Sequence, residues 1–358
     1  MIEKLQEVEN RFEEVNELVC NPDIVCDQEK YTKLMRELKH LTPVVEKFRE
    51  YKKAKASEEE SRAMLDEGGM DADFAQMVKE EYEQSREDME RIEEELKVLL
   101  LPRDPNDDKN VIIEIRGGAG GEESALFAGV LFRMYSMYAE KKGFKIEIIN
   151  ANETEIGGYK EISFMIEGEG AYSRFKYESG VHRVQRVPET ESQGRVHTST
   201  TTVAVLPEAE DVELEIDPND LKIDTFRSSG AGGQHINKTS SAIRITHLPT
   251  GMVVECQDER SQFKNKEKAL KVLRSRLLDQ KVQAQNKEIA DNRRSQVGTG
   301  DRSERIRTYN YPEGRISDHR IGLTLYKLEE ILNGSLDEVI DALVAADRAE
   351  KLKESMEK

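Results

Sequence analysis

The chain has no Trp, only three Cys and six His, and no apolar run near the roughly 18 residues that a membrane helix needs. The missing apolar run excludes a membrane span. Cys20, Cys26 and Cys256 are odd in number and lack CxxC spacing. That excludes a disulfide framework and a zinc site, and it predicts reduced thiols in a cytoplasmic protein. The histidines are scattered, with no HExxH and no Cys/His cluster, so no metal site is expected, and no cofactor is implied. Met1-Ile2-Glu3-Lys4 lacks the basic-then-apolar profile of a secretory signal. The 358 residues suffice for roughly two to four domains. At 37% hydrophobic the chain can build cores, and at 35% charged it exposes much surface.

A net charge of −18 argues at first against a nucleic-acid partner. The charge is unevenly spread, however. Residues 1–100 hold 16 Lys/Arg against 28 Asp/Glu, whereas residues 221–320 hold 20 against 12. Phosphate contacts respond to the field within about 8 Å at physiological salt, so the basic block remains a credible RNA-facing surface.

In the first hundred residues Ile2, Leu5, Val8, Phe12, Val15 and Leu18 form a helical seam. Asn21-Pro22-Asp23 breaks it, and a second seam begins at Leu34, Leu38, Val45, Phe48 and Tyr51. A third follows Gly68-Gly69, from Phe74 to Leu96. An antiparallel helical bundle or hairpin fits. Leu101 to Asn106, with two prolines, reads as a linker. Strands are then expected at Val111–Ile115, Lys145–Ile149, Glu161–Ile166, Ser173–Tyr177, Val181–Val187 and Arg195–Leu206. A helix is expected from Glu122 to Lys142, with Gly143 as its cap. After an acidic stretch comes a compact unit with strands Lys222–Phe226, Ala242–His247 and Met252–Cys256. Its helix, Phe263–Val282, carries Lys264, Lys266, Lys268, Lys271, Arg274 and Arg276. The end is helical, with Ser335 and Glu338 spaced as a capping box.

Three segments carry candidate chemistry. In Ser228-Ser229-Gly230-Ala231-Gly232-Gly233-Gln234-His235 the glycines permit positive φ and close backbone approach. Gln234 offers a carboxamide and a backbone N–H to orient a water or meet a developing oxyanion. No GK[ST] follows, so this is not a phosphate loop. A plain strand-to-strand connection fits the composition equally well. Val187-Pro188-Glu189-Thr190-Glu191-Ser192-Gln193-Gly194 reads by itself as an ordinary hairpin loop. The stretch from Asn292 to Arg305 reads as a polar, basic hinge.

Taken together, Gly232-Gly233-Gln234 in SSGAGGQHINKTSSAIRITHLPTG and Pro188-x-Thr190 about 44 residues before it resemble the bacterial class I peptide chain release factors. Pro188-x-Thr190 is similar to the tripeptide of the branch that reads UAA and UAG. The UAA/UGA-reading branch carries Ser-Pro-Phe there. The resemblance covers nearly the whole chain and implies a multidomain α+β protein. Its expected parts are a helical domain at 1–100, a linker at 101–110 and a stop-codon recognition domain at 111–206. The GGQ domain follows at 207–288, then a switch loop and C-terminal region at 289–358 packing with the decoding domain.

The resemblance implies that Gly232, Gly233 and Gln234 enter the peptidyl-transferase centre, and that Gln234 is N5-methylated by a glutamine methyltransferase. It assigns codon contacts to Gly120, Glu123, Gln185, Pro188, Glu189, Thr190, His197 and Thr198. Gly120 and Glu123 would act through backbone groups at the first uracil, the Thr190 hydroxyl on base edges, and His197 by stacking. Gln185 and Thr198 would meet the third base. The acidic Glu189 is unexpected beside mRNA. Arg293, Arg294, Ser295, Gln296, Gly298, Thr299 and Gly300 would form the switch loop. Implied partners are the 70S ribosome and its RNA, the mRNA stop codon, P-site peptidyl-tRNA and a recycling class II release-factor GTPase, with the chain a monomer. It is not expected to be a stand-alone enzyme, because no Ser/His/Asp order is present and Gln234 is neither nucleophile nor base. The alternatives are UAA/UGA specificity, or a non-catalytic RNA-binding scaffold.

Overall fold

The computed structural model describes residues 2–67, 71–101, 104–188, 191, 193–209, 214, 216–226, 241–259 and 261–357. The fold is mixed α and β and forms two compact units, one of residues 1–104 with 341–358 and one of residues 105–340.

In the first unit α1 (Ile2–Val19), α3 (Gln28–Glu67) and α4 (Ala72–Leu99) pack around Leu5, Val44, Phe48, Tyr51, Ile92 and Leu96. All of these but Val44 belong to the three seams, whose three- and four-residue spacing puts them on one helix face. The break at Asn21 holds a single turn, α2 (Pro22–Val25). Asp71 caps α4 by accepting the Phe74 N–H at 2.8 Å.

The second unit contains an eight-stranded sheet. Its strands are β1 (Val111–Gly117), β2 (Lys145–Glu153), β3 (Tyr159–Glu167), β4 (Gly180–Arg186), β5 (His197–Pro207), β9 (Arg305–Asn310), β10 (Arg315–Asp318) and β11 (Leu323–Leu325), in the order β11-β10-β9-β4-β5-β1-β3-β2. All neighbours are antiparallel except β4 and β9. The helix α5 (Glu122–Lys141) buries Phe127, Leu131, Met134, Tyr135 and Tyr138. Phe127 meets Tyr309 edge-on at 5.2 Å between ring centroids. A separate three-stranded sheet orders β6 (Leu221–Phe226), β7 (Ala242–His247) and β8 (Met252–Cys256). Its core is Ile243, Ile245, Val254 and Cys256 with Ala269, Leu273 and Leu277 of α7 (Gln262–Val297).

Four local expectations are corrected. Ser173–Tyr177 is no strand: α6 (Ala171–Phe175) and a 3-10 turn occupy it, because left-handed Gly170 starts a helical turn that buries Ala171 and Phe175. The helix expected to end at Val282 continues to Val297, since no Gly or Pro intervenes before Gly298 at φ +56°. Arg293 to Gln296 are therefore helical and do not form a loop. The capping box does not form. The terminal helix α8 (Asp337–Glu357) starts two residues after Ser335, Ser335 Oγ receives Lys141 at 3.0 Å, and Glu338 pairs with Lys327 at 2.9 Å. Strands β9 to β11 were not anticipated, because β9 carries arginines where a buried strand normally carries apolar side chains.

One of those arginines explains the anomaly. Arg307 is fully buried and holds both oxygens of Glu178, at 2.6 and 2.8 Å, while its Nε donates to Asp318 at 3.1 Å. Burial pushes the Glu178 carboxyl up, but the Arg307 guanidinium outweighs it and leaves the group below its ordinary range. His182 is buried beside it. Its Nε2–H donates to the Glu178 carbonyl at 2.9 Å, which leaves Nδ1 to accept from the Tyr309 hydroxyl at 3.1 Å. That places the single proton of a neutral ring. Burial is the largest influence and pushes the imidazole down to about 4.

Below its ordinary value of about 6.5 the unfolded chain binds a proton at His182 that the folded chain refuses until about 4, so stability falls with pH across that window. The expected loss between pH 7 and 5 is about 2 kcal/mol. Urea unfolding of the protein and of His182→Gln at both pH values should show that increment only in the protein carrying histidine. Equal pH dependence in the two would contradict the assignment.

Candidate nucleic-acid interface

At the end of β1 the chain turns through Gly118-Ala119-Gly120-Gly121 into α5. Thr200 of β5 holds this turn. The Gly118 N–H donates to its carbonyl at 2.9 Å, its own N–H donates to Ala119 O at 2.8 Å, and its Oγ1 accepts the Ala119 N–H at 2.9 Å. The same hydroxyl donates to the Gly300 carbonyl at 3.1 Å. One side chain thus ties the glycine turn to the segment after α7. Gly120 is required twice over: its φ is +136°, and a Cβ there would lie 2.4 Å from Ser199 Oγ. Removing the hydroxyl with Thr200→Val strands the Ala119 N–H and is expected to destabilise this unit by about 1–3 kcal/mol, with Thr200→Ser near the parent in urea melts. Equal loss in both variants would assign the effect to the methyl group.

Glu123, on the first turn of α5, turns its side chain inward. Arg186 Nε donates to Glu123 Oε1 at 2.6 Å, Oε2 is buried with no partner among the described residues, and the Arg186 guanidinium lies 5.4 Å over the Tyr311 ring. Burial pulls the Arg186 guanidinium down, and the hydrogen bond and charge of Glu123 together with Tyr311 more than restore it. The Glu123 carboxylate is therefore engaged within the fold.

The antiparallel pairing of β4 with β5 sets Gln185 opposite Thr198 and Arg186 opposite His197. Gly120 rests on Ser199, the next residue along β5. Gly120, Glu123, Gln185, His197 and Thr198 are thereby gathered around the N-terminus of α5 and the adjoining ends of two strands. His197 is exposed, with Nε2 2.7 Å from Glu191 Oε2, and Pro188 is buried. Glu189 and Thr190, between Pro188 and Glu191, lie outside the described residues, as do Gly232, Gly233 and Gln234.

Around the glycine-rich segment, Phe226 and Ala242 pair at the ends of β6 and β7. Asn265 of α7 is fully buried. Its Nδ2 donates to Ser241 O and Glu259 O at 2.8 Å each, and its Oδ1 accepts the Glu259 N–H at 2.9 Å. It fixes the chain at Ser241, the residue that leads into β7, and no sequence signal singles it out among the surrounding lysines. The six cations predicted on this helix, Lys264 to Arg276, are all exposed.

The expected switch segment is split by secondary structure. Arg293 pairs with Glu114 of β1 at 2.5 Å, and Ser295 Oγ donates back to Asn292 O at 2.8 Å. The Gln296 carboxamide takes both backbone groups of Val205, at 2.8 and 2.9 Å. The pairing of β4 with β5 ends at Gly180 and Val203, so this amide stands in for the strand that is missing there. Gly298 ends the helix, the Thr299 N–H donates to Glu304 Oε2 at 2.8 Å, and Gly300 is left-handed at φ +73°. Arg294 is exposed.

Residues 8–203 match the PCRF domain family and residues 210–320 the RF-1 domain family. Peptide chain release factor 1 of Caldicellulosiruptor saccharolyticus is 62% identical, covering 99% of each chain. The proteins of the same name from Acetivibrio thermocellus and Clostridioides difficile are 61% and 60% identical over 98% of this chain, covering 98% and 99% of their own lengths. No described helix is long and apolar enough to cross a membrane. With two matched domains in succession and full-length relatives near 60% identity, the chain belongs to the peptide chain release factor 1 family of translation termination factors.

Proposed function

We propose that the chain reads UAA and UAG in the ribosomal A site with Gly120, Glu123, Gln185, Pro188, Glu189, Thr190, His197 and Thr198, and triggers peptidyl-tRNA hydrolysis through Gly232, Gly233 and Gln234. The observation that carries this reading is the convergence of Gly120, the Glu123 backbone, Gln185, His197 and Thr198 at one corner of the large sheet. Backbone groups at a glycine turn and side chains that both donate and accept suit base edges, and Glu122 and Glu123 disfavour a bare phosphate there. Residues 111–206 with 289–340 form the reading module, and residues 207–288 carry the hydrolysis loop.

The ribosome's RNA supplies most of the catalytic apparatus, and the chain completes it without being a stand-alone hydrolase. Water attacks the ester carbonyl and the bond from carbonyl carbon to ribose oxygen breaks. The proton lost by the water ends on the tRNA hydroxyl. The Gln234 N–H stabilises negative charge on oxygen in the transition state, and its carboxamide orients the water. A glutamine methyltransferase acts on Gln234, and a class II release-factor GTPase recycles the factor. The protein works as a cytoplasmic monomer.

Thr190→Ala is expected to lower the preference for UAA over a sense codon by about 5- to 150-fold, on the order of 1–3 kcal/mol per lost base contact. Equilibrium binding to ribosomes programmed with each codon measures it. Equal weakening on both codons would remove Thr190 from codon reading.

A further inference from the structure

Beside the codon-reading corner lies a cationic cluster that has no part in the function proposed so far. Arg183 of β4 is two residues from Gln185, hence on the same face of the strand and about 6.6 Å along it. Its Nε donates to Thr308 Oγ1 at 3.1 Å, and that hydroxyl is 2.8 Å from His319 Nε2. The His319 N–H donates to Ile306 O at 2.8 Å, which holds the imidazole beside β9. Arg305, at the start of β9, pairs in register with Val181, and its Nε is buried without a hydrogen-bond partner among the described residues.

The neighbouring acids are occupied. Asp318 serves Arg307 and Arg320, Glu178 serves Arg307, and Glu304 accepts the Thr299 N–H. No ion pair to Arg183 or Arg305 occurs among the described residues, in a chain with 72 acidic residues against 54 basic ones. Arg183 is held below its ordinary value first by burial and then by Arg305. His319 is lowered by burial, then by Arg305 and Arg183. The like charges repel one another, and an oxyanion placed between them removes that cost.

We propose that Arg183, Arg305 and His319 form a binding site for one RNA backbone phosphate next to the third base of the stop codon. The site rests on the codon-reading proposal for its location, since Gln185 and Thr198 adjoin it. It supplies affinity and sets the register of the reading face, and it leaves base discrimination to the residues already named.

The test compares the full-length protein, Arg183→Gln/Arg305→Gln and Arg183→Lys/Arg305→Lys on UAA-programmed ribosomes over a range of KCl. The Gln pair is expected to bind at least tenfold more weakly near physiological salt. Its slope of log affinity against log salt should be shallower by about 0.7–0.9, the value of one phosphate. The Lys pair should keep most of the slope. Parental affinity and slope in the Gln pair would overturn the site. Should the Gln pair fold poorly, phenylglyoxal modification of the unaltered protein decides: Arg183 is expected to be protected on the ribosome, and undiminished labelling would overturn the site.

Messenger RNA ending at the third codon base separates the two sources of the phosphate. A penalty lost on that message assigns it to mRNA, and one retained assigns it to ribosomal RNA. Failure of the unaltered protein to release peptide on UAA would instead count against the codon-reading proposal, whatever the slopes show.

Discussion

Arg307→Ala is expected to destabilise the sheet-bearing unit by about 3–5 kcal/mol, the range for breaking a buried ion pair by removing one partner. The reason lies in what remains. Glu178 and Asp318 are 0% and 2% exposed, so the substitution leaves two buried carboxylates without the guanidinium that neutralised them. Arg320 still reaches Asp318 at 2.7 Å, but among the described residues the Glu178 carboxylate keeps only the hydrogen bond from the Tyr135 hydroxyl, at 3.0 Å. The loss should be much smaller in Arg307→Met/Glu178→Met, where neither charge is left behind. Because the chain has no Trp and 11 Tyr, urea unfolding is best followed by circular dichroism or Tyr emission. A double variant less stable than either single one would show that the pair contributes more than its own desolvation. An Arg307→Ala protein within about 1 kcal/mol of the parent would contradict the buried network altogether.

Gln234→Pro is expected to slow peptide release about 10²–10³-fold, corresponding to about 2.7–4 kcal/mol for one missing oxyanion donor, with UAA-dependent binding nearly unchanged. Proline removes the backbone N–H together with the carboxamide, and it fixes φ at about −65°. Gln234→Ala keeps that donor and loses only the carboxamide, so its release defect should be the smaller of the two. Single-turnover release at saturating protein, measured beside equilibrium binding, separates the effects: a contact made only in the transition state lowers the rate and spares affinity. Should both variants fail to bind UAA-programmed ribosomes, hydrolysis and codon reading would not be separable functions of this chain.

The helical seams of the first hundred residues were legible because a period of three and four residues is written directly in Leu5, Val15, Phe48 and Leu96, all of which are buried. The strands flanking the segment from Val187 to Gly194 were legible for a similar reason. Val181, Val184 and Val203 recur between turn residues, and pairing across a short loop brings Gln185 opposite Thr198. Contacts made by distant pairing left no such trace. That Gly120 meets Ser199 depends on β5 lying beside β1, some 80 residues away, and spacing alone does not fix that neighbour.

Strand β9 was hidden for a different reason: its buried charge is neutralised by Glu178, 129 residues distant, so the local pattern looks like a solvated segment. The hinge was misread because polar, charged residues between Gln283 and Val297 are good helix formers, and their composition resembles that of a linker. Gln296 and Asn265 carry structural roles through side-chain amides that replace backbone partners, a role with no sequence signature.

The most direct test of stop-codon-dependent hydrolysis is peptide release from purified ribosomes carrying labelled peptidyl-tRNA, programmed in turn with UAA, UAG, UGA and a sense codon. Release on UAA and UAG alone is the expected result. Release on UGA in place of UAG would contradict the role given to Pro188 and Thr190, and equal release on the sense codon would contradict codon reading by this chain.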